Sequence, residues 1–191
     1  MATQTPVEQF NSLLSSSSIL FVVFYRGHWC PFCRAYLQSL QKLSPSITAL
    51  GGKTLTVTSE PASFLSETRK LSGYQGDAIV DTENTLVGLV KERYGLEVAV
   101  SEKKGYENGM AQPAILVLRG EKGGEIVGPE RTVLEKWAII PSVMNLGGAS
   151  DRPDLEQVWD NVRAKVDGKA RIHQGYKTTG LLGMLWGKFL G

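Results

Sequence analysis

The sequence predicts a single α/β domain whose mixed central sheet is flanked by helices, followed by a C-terminal extension. The chain has 191 residues, enough to bury one core of ordinary size. Its composition, 42% hydrophobic and 21% charged, is typical of a soluble globular protein. Short apolar runs alternate with amphipathic segments, which is the pattern of strands alternating with helices. We therefore expect one domain over residues 1–167 and an apolar tail over residues 168–191.

The first half of the chain contains two predicted helix–strand units. Pro6 to Ser17 has the spacing of a short amphipathic helix, and the apolar run Ile19–Tyr25 is typical of a strand buried on both faces. Pro31–Leu50 carries apolar residues at helical spacing, and Pro45 should kink or split that helix. Lys53–Thr58 then alternates as a second strand.

The second half continues this alternation and then turns back as a hairpin. Helices are predicted over Pro61–Leu71, from Asp81 or Thr82 to about Tyr94, and over Asp154–Val166. Strands are predicted at Ala78–Val80, at Ala114–Leu118 and, as the hairpin partner of the latter, at Glu125–Val127. The polar segment Glu97–Gln112 is predicted to be a long loop.

Charge and hydropathy disfavour two classes of partner. The formal net charge is only +2 and the basic residues are scattered, so a nucleic-acid surface is not expected. The run Ile19–Tyr25 is too short to span a bilayer, and Arg26 follows it, whereas a secretory signal carries its positive charge first. A membrane contact is therefore disfavoured, and we expect a cytoplasmic location.

The tail is apolar but interrupted by glycines from Leu181 to Leu190. Such a segment packs on its own domain or on a partner subunit, so the tail is a candidate contact of a homo-oligomer. A lipid contact is the less favoured alternative.

The two cysteines of the chain lie three positions apart, where a buried strand is followed by a helix. Cys30 would be the N-cap of that helix and Pro31 its first residue. Free amides and the helix dipole stabilise negative charge there, so the pKa of Cys30 should fall and its thiolate should be reactive. Cys33 lies one turn further along the same face, within reach of a disulfide. Because that disulfide would close almost no loop, a redox function explains the pair better than stability does.

The residues around the pair are candidates for substrate binding and proton transfer. Arg26 and His28 precede Cys30 and could add positive potential or exchange a proton, a surface location being the alternative for each. Trp29, Pro31 and Phe32 are expected to line the site.

Metal binding is the main alternative for the cysteines. One Cys-x-x-Cys supplies two ligands, whereas a closed zinc site needs four. The only histidines are His28 and His173, and His173 lies in a segment with no ligand spacing, so no metal is expected. A buried, chemically inert pair is a further alternative.

The motif Trp29-Cys-Pro-Phe-Cys33 resembles the active sites of thioredoxins and glutaredoxins. The order of segments around it is closer to the peroxiredoxin-like (AhpC/TSA) branch of the thioredoxin superfamily. The stretches that carry this resemblance are Phe21–Arg34, Leu55–Glu60, Ala78–Leu96 and Gln112–Val127, which span most of residues 10–166. The resemblance implies a thioredoxin-like fold. It also implies that Pro113, next to Gln112, is a cis proline facing the cysteines and shaping the substrate site, an edge-strand start being the alternative.

Two positions depart from the families that the chain resembles. Peroxiredoxins proper keep a threonine or serine three residues before the reactive cysteine, and Gly27 stands there. Thioredoxin keeps a buried aspartate in the preceding strand, and Phe24 stands at its place. The resemblance therefore supports dithiol chemistry more strongly than peroxide as the substrate.

We expect a peroxiredoxin-like thiol-disulfide oxidoreductase that reduces a hydroperoxide, an endoperoxide or a disulfide. Cys30 is the expected nucleophile, Cys33 the resolving cysteine, and Pro113 the residue that shapes the site. No bound cofactor is expected, only an external reductant such as a thiol, thioredoxin or glutathione. The alternatives are a glutaredoxin-like reductase of protein or glutathione mixed disulfides and a non-catalytic redox-sensing or interaction domain.

Overall fold

The computed structural model describes residues 4–120, 122 and 132–179. The helices are α1 (Pro6–Ser15), α2 (Pro31–Ala49), α3 (Leu65–Ser72), α4 (Thr85–Tyr94) and α5 (Leu155–Val166), with 3₁₀ turns at Ala62–Phe64 and Val143–Asn145. The strands are β1 (Ile19–Phe24), β2 (Gly52–Thr58), β3 (Asp77–Val80), β4 (Val100–Ser101), β5 (Met110–Ala111), β6 (Ala114–Arg119), β7 (Val133–Ala138), β8 (Arg152–Pro153) and β9 (Thr178–Thr179).

Five strands form a mixed sheet in the order β3-β2-β1-β6-β7. Strand β1 is parallel to β2, with Ile19 opposite Gly52, and antiparallel to β6, with Phe24 opposite Ala114. Every residue of β1 is buried, as its unbroken apolar sequence predicts for a central strand. The predicted mixed sheet is confirmed.

The alternating side chains of β1 enter two cores, one on each face of the sheet. Phe21 and Val23 pack with α2 and α5, while Leu20 and Val22 pack with α1 and α4. The carboxyl end of β1 lies at one end of the sheet, between the helices that cover its two faces, and a loop follows it. That loop carries the cysteines.

The predicted helices form with small differences in their ends. Helix α2 continues through Pro45 as one 19-residue helix, so the expected split is wrong. Its apolar face, from Leu37 to Ile47, is buried against the sheet, and this packing outweighs the loss of one backbone hydrogen bond at proline. In the described chain, no helix is long and apolar enough to cross a membrane.

Two connections differ from the sequence expectations. The predicted loop Glu97–Gln112 contains the short hairpin β4–β5. Strand β6 pairs with β7, which the sequence pattern did not reveal, while the expected partner Glu125–Val127 lies outside the described residues.

The described part of the C-terminal segment is attached to the domain. Strand β9 pairs with β8, and the backbone N–H of Asp154 donates to the carbonyl of Lys177 at 3.0 Å. Asn161 in α5 accepts hydrogen bonds from the N–H groups of Ile172 and His173. The apolar run Leu181–Leu190 lies outside the described residues, so its docking stays a prediction.

Candidate active site: a buried dithiol beside an arginine

The loop that follows β1 positions the two cysteines. The Cys30 N–H donates to the Gly27 carbonyl at 3.2 Å, which closes a tight turn. Cys30 is the N-cap of α2 with extended backbone, and Pro31 is the first helical residue. This confirms the predicted placement of Cys30 at the helix N-terminus.

Both cysteines are free thiols, and they approach each other to 3.3 Å. Each is only 1% exposed, and Cys33 lies deeper than Cys30. Their side chains share a hydrogen bond, so the protonation of one thiol depends on the other. The pair is close enough to form a disulfide with modest adjustment.

The groups that stabilise a thiolate contact Cys33. The Arg152 Nη2 donates to Cys33 Sγ at 3.3 Å, and the backbone N–H of Arg26 donates to the same sulfur at 3.4 Å. Burial alone would raise the pKa of Cys33, but the hydrogen bond from Cys30 and the charge of Arg152 outweigh it. Together they hold the pKa of Cys33 well below its ordinary value.

The same arrangement raises the pKa of Cys30, first through its hydrogen bond to Cys33 and second through burial. These contacts favour the thiolate at Cys33, whereas the sequence predicts the lower pKa at Cys30. The helix N-terminus favours charge at Cys30, but a guanidinium in direct contact with Cys33 is the stronger interaction at short range.

Arg152 is the residue of this site that sequence reasoning missed. It lies in β8, 119 positions after Cys33, and is 3% exposed. Its guanidinium also packs over the ring of Tyr36, with Cζ 5.4 Å from the ring centroid. A lone arginine in a loop before a helix carries no sequence signal that distinguishes it from a surface residue.

A polar cluster fills the space next to Gly27. The Trp29 indole N–H donates to the Tyr106 hydroxyl at 2.9 Å, and that hydroxyl donates to the Arg26 carbonyl at 2.7 Å. Glu60 Oε1 lies 3.3 Å from the same hydroxyl. A Cβ on Gly27 would lie 2.6 Å from Glu60 Oε1, 2.7 Å from Trp29 Nε1 and still closer to Tyr106 Oη. No larger residue fits there without a shift.

His28 is held by a carboxylate. Its backbone N–H donates to Glu60 Oε2 at 2.9 Å, and its Nδ1 lies 2.7 Å from Glu60 Oε1. The imidazole ring stacks on Phe64 at a centroid distance of 4.5 Å. Among the described residues, neither cysteine is a hydrogen-bond partner of His28. A proton-transfer function for His28 stays a prediction.

Trp29 is partly buried and packs against the core that contains both cysteines, and its function in substrate binding stays a prediction. The Arg26 guanidinium lies 5.0 Å from the Trp29 ring and the Lys103 ammonium 4.4 Å from it. Lys103 belongs to the segment between β4 and β5, as does Tyr106, so this segment covers the cysteine loop. The sequence alone could not place it there.

Pro113 lies at the end of the sheet that carries the cysteine loop. Strand β6 begins at Ala114, directly opposite Phe24, so Pro113 precedes the strand next to the cysteines as expected. The described chain contains no cis peptide bond, however, so the expectation of a cis Pro113 is wrong. A trans X–Pro bond is the ordinary isomer, and here it leads an extended chain directly into β6.

Gln112 is buried beside Pro113, and neither its amide oxygen nor its amide nitrogen has a hydrogen-bond partner in the described chain. The Oε1 atom lies next to Gly148. Pro31 is exposed at the start of α2, and Phe32 is half-buried. A cavity of about 70 Å³ adjoins Phe32, lined also by Tyr36, Ala149 and Arg152.

Residues 4–120, 122 and 132–179 contain no group of three or more histidine, cysteine or acidic side chains arranged to hold a metal ion.

Comparisons with known proteins show the family and the fold of the chain. The sequence model of the AhpC/TSA family matches residues 6–122. No curated protein sequence matched the chain.

Among solved structures, the chain is similar to the peroxiredoxin 6 of Arenicola marina, with a TM-score of 0.58 and 14% identity. That match covers 82% of this chain and 64% of the other, so this chain spans less than two thirds of that protein. The peroxidoxin BcpB of Mycobacterium tuberculosis matches with a TM-score of 0.56 and 13% identity, over 81% of this chain and 84% of that one. The reduced 2-Cys peroxiredoxin of Plasmodium vivax matches with a TM-score of 0.57 and 10% identity, over 82% of both. These similarities show the fold, and the predicted thioredoxin-like architecture is confirmed.

Proposed function

Because the chain belongs to the AhpC/TSA family, we propose that it is a peroxiredoxin-like thiol-disulfide oxidoreductase acting through Cys30 and Cys33. Family and fold support a thiol peroxidase-like function. The observation that carries the proposal is the contact between two buried thiols and the Arg152 guanidinium. A buried cation beside a thiol lowers the cost of the thiolate, which is the reactive form of cysteine.

In the first step, Cys30 attacks the oxidised substrate. The Cys30 proton moves to the hydrogen-bonded Cys33 sulfur as the Cys30–substrate bond forms, so no free Cys30 thiolate has to accumulate. With a disulfide, the Cys30 sulfur bonds to one substrate sulfur, and the other leaves as a thiolate that takes a proton from water. With a hydroperoxide, the O–O bond breaks, Cys30 becomes a sulfenic acid, and the leaving alkoxide takes a proton from water and departs as an alcohol.

In the second step, Cys33 resolves the intermediate. Its low pKa lets it lose the proton to solvent, and its thiolate then attacks the Cys30 sulfur. A disulfide between Cys30 and Cys33 forms, and the remaining substrate thiol, or water in the case of sulfenic acid, is released. Two electrons have passed from the dithiol to the substrate, and an external thiol, thioredoxin or glutathione restores the dithiol.

The geometry supports Cys30 as the attacking cysteine and Cys33 as the resolving cysteine. Cys30 is at the helix N-terminus and is the shallower of the two, whereas Cys33 lies beneath it and contacts Arg152. The Cys33 sulfur is in hydrogen-bond contact with Cys30, so it can receive the Cys30 proton and afterwards attack the Cys30 sulfur. The sulfur nearer the surface is suited to meet a substrate.

The residues around Gly27 argue against rapid turnover of hydrogen peroxide. The position where peroxiredoxins keep a threonine is Gly27, and the space there is filled by Tyr106, Glu60 and Trp29. The Tyr106 hydroxyl that lies there accepts from the Trp29 indole N–H and donates its own proton to the Arg26 carbonyl, so that proton is not available to hold a peroxide. We expect slow turnover of hydrogen peroxide, far below the diffusional ceiling of about 10⁸ M⁻¹s⁻¹. A glutaredoxin-like preference for mixed disulfides is the second candidate function, and the same observation favours it.

Single serine variants test the assignment. The variant Cys33→Ser should attack and then stall, which accumulates a mixed disulfide or a sulfenic acid on Cys30 in mass spectra. The variant Cys30→Ser should form no adduct. An adduct confined to Cys30→Ser would reverse the roles, and no adduct in either variant would refute the redox function.

Stopped-flow tryptophan fluorescence ranks the oxidants, since one of the four indoles, that of Trp29, lies in the same loop as Cys30. Glutathione disulfide should react faster than hydrogen peroxide at equal concentration. Peroxide reacting near the diffusional ceiling would show that another group holds the peroxide.

A further inference from the structure

Only one of the three nitrogens of the Arg152 guanidinium has a hydrogen-bond partner in the described chain. Its Nη2 donates to Cys33 Sγ, but Nε and Nη1 have no hydrogen-bond partner in the described chain, although both atoms are buried. Buried guanidinium N–H groups are rarely left without partners, because each unmade hydrogen bond costs free energy. The residue therefore has donors available to a ligand.

Cys33 is the anion beside this arginine, and none of the ion pairs found in the described ranges joins Arg152 to a carboxylate. In the reduced protein the Cys33 thiolate balances the charge of Arg152. When Cys30 and Cys33 form a disulfide, that negative charge is lost. Arginine cannot give up its proton in a protein, so oxidation leaves a cation that is 3% exposed without a counter-ion.

A cavity is available beside this cation. Its volume is about 70 Å³, several times the space that one water molecule needs. Arg152 lines it together with Phe32, Ala35, Tyr36, Ala149 and Ser150. These walls are mostly apolar, with hydroxyl groups at Tyr36, Ser39 and Ser150. The cavity has room for a carboxylate-sized group and not for a bulky anion.

We propose that the oxidised protein holds a small anion, a carboxylate or a thiolate, in this cavity against Arg152, and that the dithiol form does not. The site would receive the anionic group of a small reducing thiol, so the class of reductant is an anionic low-molecular-weight thiol. The inference rests on the proposed function, because it requires that Cys30 and Cys33 form a disulfide.

Selective binding to one redox form changes the redox equilibrium. An anion that binds only the disulfide form stabilises it, so the midpoint potential becomes more negative as the anion concentration rises. Above the dissociation constant, each tenfold increase of anion changes the ratio of oxidised to reduced protein tenfold, or about 30 mV for a two-electron couple.

The test is a redox titration of the full chain at several acetate concentrations. Gluconate, an anion too large for the cavity, keeps the ionic strength constant. The midpoint potential should fall as acetate replaces gluconate, and calorimetry should detect acetate binding to the oxidised protein only. An unchanged potential, or equal acetate binding to both redox forms, would overturn the proposal.

The variant Ala35→Leu is the matched control, because it fills the cavity without altering Arg152 or either cysteine. Its potential in gluconate should equal that of the wild type, and the acetate dependence should vanish. Acetate dependence that persists in Ala35→Leu would place the anion elsewhere and overturn the proposal.

The last experiment tests whether the cavity binds the anionic group of a reducing thiol. Mercaptoacetate should reduce the oxidised wild type faster, relative to neutral mercaptoethanol, than it reduces oxidised Ala35→Leu. An equal ratio in the two proteins would refute the reductant part of the proposal and leave a site for free anions. If no disulfide forms at all, the proposed function fails, and this result is distinct from the outcomes above.

Discussion

Arg152 donates a hydrogen bond to Cys33, and this contact favours the negative charge of the dithiol at the deeper sulfur. The helix dipole acts on Cys30 with roughly half an elementary charge. The guanidinium acts on Cys33 with a full charge at hydrogen-bond distance in a buried site. The second interaction is the stronger, so the resting thiolate lies at the deeper cysteine.

The variant Arg152→Met tests this electrostatic assignment. Without the guanidinium the pKa of Cys33 should rise by at least about one unit, equivalent to about 1.4 kcal/mol. The pKa of Cys33 is lowered in the wild type, so its thiolate persists at pH values where a free thiol is protonated. The ultraviolet absorbance of the thiolate should therefore appear at higher pH in the variant.

The variant Arg26→Met is the matched control, because Arg26 contacts Cys33 through its backbone N–H, which the substitution keeps. Its absorbance titration should follow that of the wild type. A shift as large as that of Arg152→Met would show that general positive potential, and not the Arg152 contact, stabilises the thiolate.

Gly27 is required by packing. The variant Gly27→Ala should lower the free energy of unfolding by about 1–3 kcal/mol, since the added Cβ overlaps Glu60, Trp29 and Tyr106. Urea denaturation measures the change. Gly88→Ala in α4 is the control: no atom lies within 4 Å of its Cβ, so it should be neutral or stabilising by up to about 1 kcal/mol. Equal effects of the two variants would contradict the packing argument.

Among the elements, helix α4 begins at a buried cap. Asp81 Oδ1 accepts from the Thr85 N–H at 3.0 Å and Oδ2 accepts from the Leu86 N–H at 2.8 Å. These carboxylate contacts occupy the free amides of the first turn and lie beside the core face that carries Leu86. Helix α5 also begins at an aspartate, Asp154, but that residue is exposed.

The two caps should differ in strength. Asp81→Ala should destabilise the protein by about 2 kcal/mol, because it leaves buried amides without partners. Asp154→Ala should cost about 1 kcal/mol, because water can reach the freed amides. Urea denaturation of the two variants measures both values. A larger loss for Asp154→Ala would contradict the burial argument.

At the scale of the whole molecule, the C-terminal strand supports the site from a distance. Strand β9 pairs with β8, which contains Arg152, and Lys177 accepts the hydrogen bond of the Asp154 N–H. The arginine beside Cys33 is thus held in part by residues after α5. The boundary expected at residue 167 separates segments that are hydrogen-bonded to each other.

Two deletions separate these contributions. Removing residues 176–191 takes away β9 and Lys177, so Arg152 should lose its support and the pKa of Cys33 should rise. Removing residues 180–191 leaves every described contact of Arg152 and should leave that pKa unchanged. The thiolate absorbance titration compares them, and a rise in both deletions would show that residues beyond 179 contribute.

The candidate site was predictable in part because some of its chemistry is local. Cys30, Pro31 and Cys33 are neighbours in sequence, so helical periodicity alone places both sulfurs on one face of α2. His28 and Trp29 were placed near the pair for the same reason. Their partners were not predictable, since Glu60 and Tyr106 lie 32 and 77 positions away.

The sequence by itself determined the local elements of this protein and the position of the dithiol at a helix N-terminus. An unbroken apolar run such as Ile19–Phe24 can be stable only where both faces are buried, so its place inside a sheet follows from composition. Turn and cap residues, among them Asp81 and Asp154, mark where helices start.

Only the tertiary structure decided which cysteine holds the charge. Arg152 reaches Cys33 across 119 positions, and the polar cluster at Gly27 joins segments from three parts of the chain. Coulomb and hydrogen-bond energies depend on distances of a few ångströms, which sequence periodicity does not encode for residues far apart in the chain. The local rule predicted the thiolate at Cys30, and a contact made only by folding moved it to Cys33.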